Sequence, residues 1–152
     1  MKLVPRSATR QTAASARTRD ERTTPKLKQR AGARGKIQLK RVYEPADAAD
    51  GLRVLVDRLW PRGLRKDEAR LDLWLKEIAP SAELRRWFGH EPARWTAFRR
   101  KYQTELRHQT DLLRTLQDAL RAGTVTLLFA ARDVEHNEAV VLKDMLEQNY
   151  SG

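Results

Sequence analysis

Residues 124–142 read TVTLLFAARDVEHNEAVVL. Thr124, Val125 and Thr126 are β-branched, Leu127, Leu128 and Phe129 extend the run, and Gly123 stands before it. Because both parities are largely apolar, the stretch is read as a strand covered on both faces. Arg132, Asp133, Glu135, His136 and Asn137 then crowd into six residues, a loop. From there the period changes: Ala139, Val140, Leu142, Met145 and Leu146 lie on one side of a helix. A buried strand, a polar loop and a helix make the repeating unit of an α/β protein.

The rest of the chain extends that unit. LRVLVDRLW (52–60) is apolar on both parities in its middle and is read as a second central strand, broken by Pro61 and Gly63. KIQLKRVYE (36–44) alternates and predicts a strand with one buried face, with the turn-rich PADAADG after it. In residues 64–81, a loop gives way to a short apolar segment (Leu71, Leu73, Trp74, Leu75, Ile78) whose type the pattern leaves open. Ser81 is an N-cap for a short helix that Gly89 stops. Pro92 then opens what the stripe Trp95, Phe98, Tyr102, Leu106, Leu113, Leu116, Leu120 predicts to be one helix of nearly eight turns (~3.6 residues each), ended by Gly123. Strand, long helix, strand implies a parallel crossover. The fold expected is α/β: a small, mostly parallel sheet flanked by helices, one domain over residues 36–150.

Residues 1–36 hold 11 Lys or Arg against Asp20 and Glu21, whereas residues 37–152 are nearly balanced, with 20 basic and 18 acidic. The net charge of +11 therefore belongs mainly to the leading segment. With no aromatic residue and no apolar period, residues 1–35 are expected to be a disordered basic tail. A dispensable extension, an arm touching nucleic acid or anionic surfaces, and a transit peptide are its three readings. The chain has no cysteine, which excludes disulfides, thiolate zinc sites and cysteine nucleophiles. It shows no apolar run of about 18 residues and no secretory h-region. A cytoplasmic protein with no membrane association is expected, and the oligomeric state is open.

RVLVDRLWPRG, LLFAARDVEHNEAVVL and the intervening WLKEIAPSAELRRWFGHEPARWTAFRRKYQTEL resemble the YeaO-like branch of the domain-of-unknown-function 488 (DUF488) family over about residues 37–147. The resemblance implies a compact α/β domain and carries no reaction with it. Other branches have cysteines around the loop that is ARDVEHNEA here, and YeaO-like members have His where this chain has Glu138.

In parallel sheets, ligands bind beyond the carboxyl ends of the strands. Two such ends are polar: Arg58, Trp60 and Arg62 beside Asp57, and Arg132, Asp133, His136 and Asn137. If the strands are neighbours, these groups converge on a crevice for a small anionic or phosphate-bearing ligand, since guanidinium matches carboxylate and phosphate with paired donors. The free N–H groups at the start of the last helix would add to it. His136 and Asp133 are the candidates should proton transfer occur there, and whether there is an enzyme is left open. The structural alternative is that Asp133 and Arg132 tie loops together, pairing with Arg58 or Asp57, and that Asn137 only caps the helix.

Asp133, Glu135 and His136 make a weak metal signature, so no metal or other cofactor is expected. His90 is read as a cap for the next helix, His108 as solvated, and Trp74, Trp87 and Trp95 as core. A nucleic-acid-binding or regulatory role would use the tail together with the helix face bearing Arg94, Arg99, Arg100, Lys101 and Arg107. An interaction domain without a small ligand is the third reading.

Overall fold

The strand expected at 124–131 is Val125–Phe129, and every residue in it is buried. In the computed structural model, which describes residues 35–151, it is the fourth strand (β4) of a four-stranded sheet. β1 is Ile37–Arg41, β2 Leu52–Leu55 and β3 Leu73–Trp74. The spatial order is β1-β4-β2-β3, and every pairing is parallel. The two stretches apolar on both parities are thus the two interior strands, in register Val54↔Leu127 and Leu55↔Leu128. Residues 1–34, most of the expected tail, lie outside the described residues.

The open segment at 71–78 resolves into the two-residue edge strand β3 and a single 3₁₀ turn, Lys76–Ile78. After the short α1 (Lys66–Ala69), the helices are α2 (Ala82–Phe88), α3 (Trp95–Leu106), α4 (Thr110–Ala122) and α5 (Glu138–Ser151). Ser81 caps α2 by accepting from the Leu84 N–H at 3.1 Å, and Gly89 ends it in the left-handed conformation.

The single long helix expected from Pro92 to Gly123 is corrected to two, α3 and α4, with the break at 107–109. Length gives the reason. An unbroken rod of 31 residues would run about 45 Å at ~1.5 Å per residue, against roughly 17 Å for a five-residue strand. With the break at 107–109, Phe98, Tyr102 and Leu106 of α3 and Leu113, Leu116 and Leu120 of α4 are all buried.

The two faces of the sheet are covered differently. Val54, Val56, Val125, Leu127 and Phe129 pack against α2, α3, α4 and α5. On the other face Val42, Leu55 and Leu128 meet Trp60, Leu64, Leu71 and Trp74, so an irregular segment does the covering there. The amino-terminal half of that second face is polar, with Arg53, Asp50 and Thr126 all buried.

Trp87 departs from the core role expected of it: it is 38% exposed. On the two-turn α2, Leu84 and Phe88 fill the inner stripe. Trp87 lies at the border, and the Arg94 and Lys101 cations stand 5.5 and 5.3 Å from its ring. No helix among the described residues is long and apolar enough to cross a membrane.

Candidate functional site

The interior strands end side by side, and the segments leaving them are cross-linked at once. Arg41 donates to the carbonyls of Ala130 (2.9 Å) and Ala131 (3.0 Å), fixing the exit of β4. Two residues past β2, the Asp57 carboxylate accepts from the Ala130 N–H at 2.9 Å. The Trp74 indole N–H donates to the Asp57 carbonyl at 2.7 Å, and that of Trp60 to Leu64 at 2.7 Å. The convergence of the two strand ends therefore rests on hydrogen bonds as well as topology.

A cleft of about 570 Å³ opens over these ends. Asp57, Arg58, Trp60 and Arg62 line it from the segment after β2, together with Arg85 and His90 and with Glu138 of α5. A second cavity of about 270 Å³ adjoins it, lined by Phe88, Phe98, His136 and Asn137 among others. Pro80, Arg85, His90 and Glu138 line both. Of the residues singled out from sequence, Arg58, Trp60 and Arg62 thus border the outer cavity, and His136 and Asn137 the inner one. Arg132 is exposed, and neither Arg132 nor Asp133 lines either cavity.

The loop 132–137 is organised around Asp133. Its carboxylate accepts from the N–H of Glu135 (2.9 Å) and of His136 (3.1 Å), and lies 2.9 Å from His136 Nδ1. The Glu135 amide first, then the His136 side chain, hold this carboxyl below its usual pKa. An ionised Asp133 fixes the proton on Nδ1 and leaves Nε2 as the uncommitted ring nitrogen. Among the described residues, Asp133 pairs neither with Arg58, which reaches Glu77 (3.4 Å) and the Ala79 carbonyl (3.3 Å), nor with any other arginine.

Asn137 is buried, and both ends of its amide are engaged. Nδ2 donates to the Asp133 carbonyl (2.8 Å), and Oδ1 accepts from the Ala139 (2.9 Å) and Val140 (3.2 Å) N–H groups. This narrows the expectation of free N–H groups at the start of the last helix: the protein's own cap occupies those of Ala139 and Val140.

Glu138, at the first position of α5, is half-buried beside Asp57. Desolvation, and after it the hydrogen bond to Asp57, pushes the Glu138 carboxyl well above the ordinary 4.5. A proton on Glu138 also accounts for Asp57 Oδ1, which is buried and meets no N–H or hydroxyl donor. In its neutral form Glu138 donates to Asp57, and the raised pKa favours that form.

The consequence for stability has a definite sign. The unfolded chain releases the Glu138 proton near 4.5, and the folded chain holds it to higher pH. Between those values the folded state loses stability as pH rises. Glu138→Gln keeps a donor for Asp57 without the titration. The difference in unfolding free energy between the variant and the native chain should therefore shift in the variant's favour with every step above 4.5. Parallel denaturation curves at pH 5, 6, 7 and 8 read this directly; a constant difference would refute the raised pKa.

Three contributors escape a reading of the sequence. Arg85 comes from the middle of α2, and no spacing rule links it to Asp57. Its guanidinium donates no hydrogen bond to a described residue. His90 is expected to cap a helix, but no side chain caps the 3₁₀ turn Pro92–Arg94, and His90 borders both cavities instead. It sits at φ +58°, directly after Gly89 at φ +53°. For a residue with a Cβ that conformation costs about 1–2 kcal/mol, strain of the kind found where a side chain is held for use. Glu138 stands out in the sequence only as a departure from relatives. Among the described residues, no three His, Asp or Glu side chains are placed to hold a metal ion.

A parallel α/β domain with an arginine-lined cleft over its strand ends is the class these observations define. Comparison with known proteins gives the family. Residues 36–152 match the model of the family described as the inactive DUF488-N3 subclade, and the chain belongs to it. It is 46% identical over 110 residues to the uncharacterised protein YeaO of Escherichia coli (strain K12), covering 72% of this chain and 96% of that one. An uncharacterised protein of Mycobacterium tuberculosis (strain ATCC 25618 / H37Rv) is 44% identical over 111 residues, covering 73% and 93%. No solved structure gives a significant match.

Proposed function

We propose that the cleft beyond β2 and β4 recognises a small anionic or phosphate-bearing ligand and acts by binding rather than by turnover. The observation that carries this reading is Arg85: a half-buried guanidinium that borders both cavities and donates no hydrogen bond to a described residue. Arg58 and Arg62 border the outer cavity with it. Arg58 pairs with Glu77, and the raised pKa of Glu138 favours its neutral form, which lowers the negative charge that Arg62 and Arg85 face. The local excess of positive charge and the paired N–H donors suit phosphate or carboxylate. That the subclade is described as inactive supports recognition over catalysis.

The test is thermal unfolding of the full chain in inorganic phosphate, sulfate and a carboxylate series at constant ionic strength. A ligand confined to the folded state raises Tm by mass action. The native protein and Arg132→Ala should respond to phosphate, while Arg85→Ala should lose the response. No response to any anion in the native protein would reject the reading. A second reading, nucleic-acid binding, draws on exposed Trp87 with Arg94 and Lys101 around it. It requires affinity for generic DNA or RNA that falls steeply with salt.

A further inference from the structure

Both cavities are bordered by guanidiniums, Arg85 and Arg86 in the inner one, but the inner one also has aromatic walls. Phe88 and Phe98 are stacked with centroids 4.3 Å apart, and both border it. His136 stands edge-on to Trp95 at 5.1 Å, backing one imidazole with an aromatic ring. His90 lies 6.0 Å from Phe88 on the other side. Besides Arg85, Arg86 and Glu138, the inner cavity is therefore bordered by two imidazoles and two phenyl rings, surfaces that take a flat ring by stacking and edge contacts. Asn137 also borders it, its Oδ1 taken by the cap and one Nδ2 hydrogen by the Asp133 carbonyl.

Size points the same way. The two cavities, about 570 and 270 Å³, share four lining residues. Together they reach the range of roughly 300–1,000 Å³ usual for sites that enclose an organic ligand, far more than one phosphate requires. The shared residues grade the chemistry along the cleft, with Arg85 able to serve the phosphate end and His90 the ring end. Asp57 borders the outer cavity and Glu138 both, carboxyl groups able to hydrogen-bond the hydroxyls of a connecting sugar.

From this arrangement we infer that the ligand is a nucleotide-like phosphoester, its phosphate held in the outer cavity by Arg58, Arg62 and Arg85 and its planar heterocycle in the inner cavity between His90 and His136. The inference rests on the anion reading above and adds the ring to it.

The experiment is calorimetric titration of the full chain with the four ribonucleoside 5′-monophosphates, ribose 5-phosphate and inorganic phosphate. At least one nucleotide should bind ten-fold or more tightly than ribose 5-phosphate. His136→Ala and His90→Asn, the latter keeping a residue tolerant of positive φ, should each weaken the nucleotide more than they weaken inorganic phosphate. Arg85→Ala should weaken every phosphate-bearing ligand. If phosphate binds and no nucleotide exceeds ribose 5-phosphate, the ring assignment is overturned and the anion site stands. If neither phosphate nor any nucleotide binds, both are overturned. The ligand series on the native chain decides the matter even where a variant fails to fold.

Discussion

Arg53→Ala should lower the free energy of unfolding by about 3–5 kcal/mol, the cost of leaving one partner of a buried ion pair behind. Arg53 is 4% exposed on β2, and Asp50, its partner, is 3% exposed. The guanidinium contacts the Asp50 carboxylate and donates to the carbonyls of Ala69 (2.8 Å) and Arg70 (3.0 Å), fastening the segment after α1 to the sheet. Asp50 also takes Lys40 (3.1 Å) and the Asp47 N–H (3.0 Å). Exposed pairs such as Arg65–Asp67 and Asp118–Arg121 supply the contrast. Removing either should change stability by about 1 kcal/mol or less.

A pH signature separates this network from mere packing. Burial raises the Asp50 carboxyl, but the Asp47 amide and the Lys40 and Arg53 side chains outweigh it, and the pKa falls below 3.8. A folded pKa lowered in this way stabilises the protein above the unfolded value, and that contribution is lost as pH falls through the folded one. Without Arg53 the carboxyl should protonate at higher pH, so the variant's deficit should narrow below about 3.8. Denaturant melts at pH 3 and pH 7 measure it. A deficit under about 1 kcal/mol at neutral pH would show that Lys40 and the Asp47 amide suffice for Asp50.

The burial of this pair is not legible in the sequence, for a physical reason. In LRVLVDRLW, Arg53 alternates with Leu52 and Val54 just as a solvent-facing residue would. Burial on both faces is legible for β2 and β4 because Leu55 and Leu128 break the alternation. That Arg53 and Thr126 are buried too depends on the covering segment, which has no period. Likewise Leu106 and Leu113 are seven residues apart and fall on one helical face whether or not the helix continues, so periodicity cannot detect the break at 107–109. Local chemistry is easier: Ser81 and Gly89 announce their caps by residue type. At the site, Arg58, Trp60 and Arg62 are visible because they come directly after a recognisable strand. Arg85 and His90 reach the cleft through the placement of α2, which no sequence interval encodes.

Gly51→Ala tests how the site is set from the far end of the same strand, and roughly 2–6 kcal/mol of destabilisation is expected from the two costs of strain and displacement. Gly51 sits at φ +64°, ψ −134°, a conformation that penalises any Cβ. It also faces Thr124: a Cβ would lie 2.2 Å from the Thr124 carbonyl oxygen. That same oxygen accepts from the Leu52 N–H at 2.9 Å and so starts the β2–β4 register. An added methyl must therefore push apart the groups that align the two strands. Strain of about 1–3 kcal/mol and forced displacement of about 1–3 kcal/mol both apply. Gly63 is the internal control. It has φ +74° but nothing within 4 Å of an added Cβ, so Gly63→Ala should cost the strain alone, about 1–2 kcal/mol. Six residues beyond Gly51, Asp57 meets the Ala130 N–H only while that register holds. Gly51→Ala should accordingly weaken the response to phosphate at temperatures where it is still folded, whereas Gly63→Ala, which leaves the pairing of β2 with β4 untouched, should retain it. Equal destabilisation by the two substitutions would show that the Thr124 contact carries no weight.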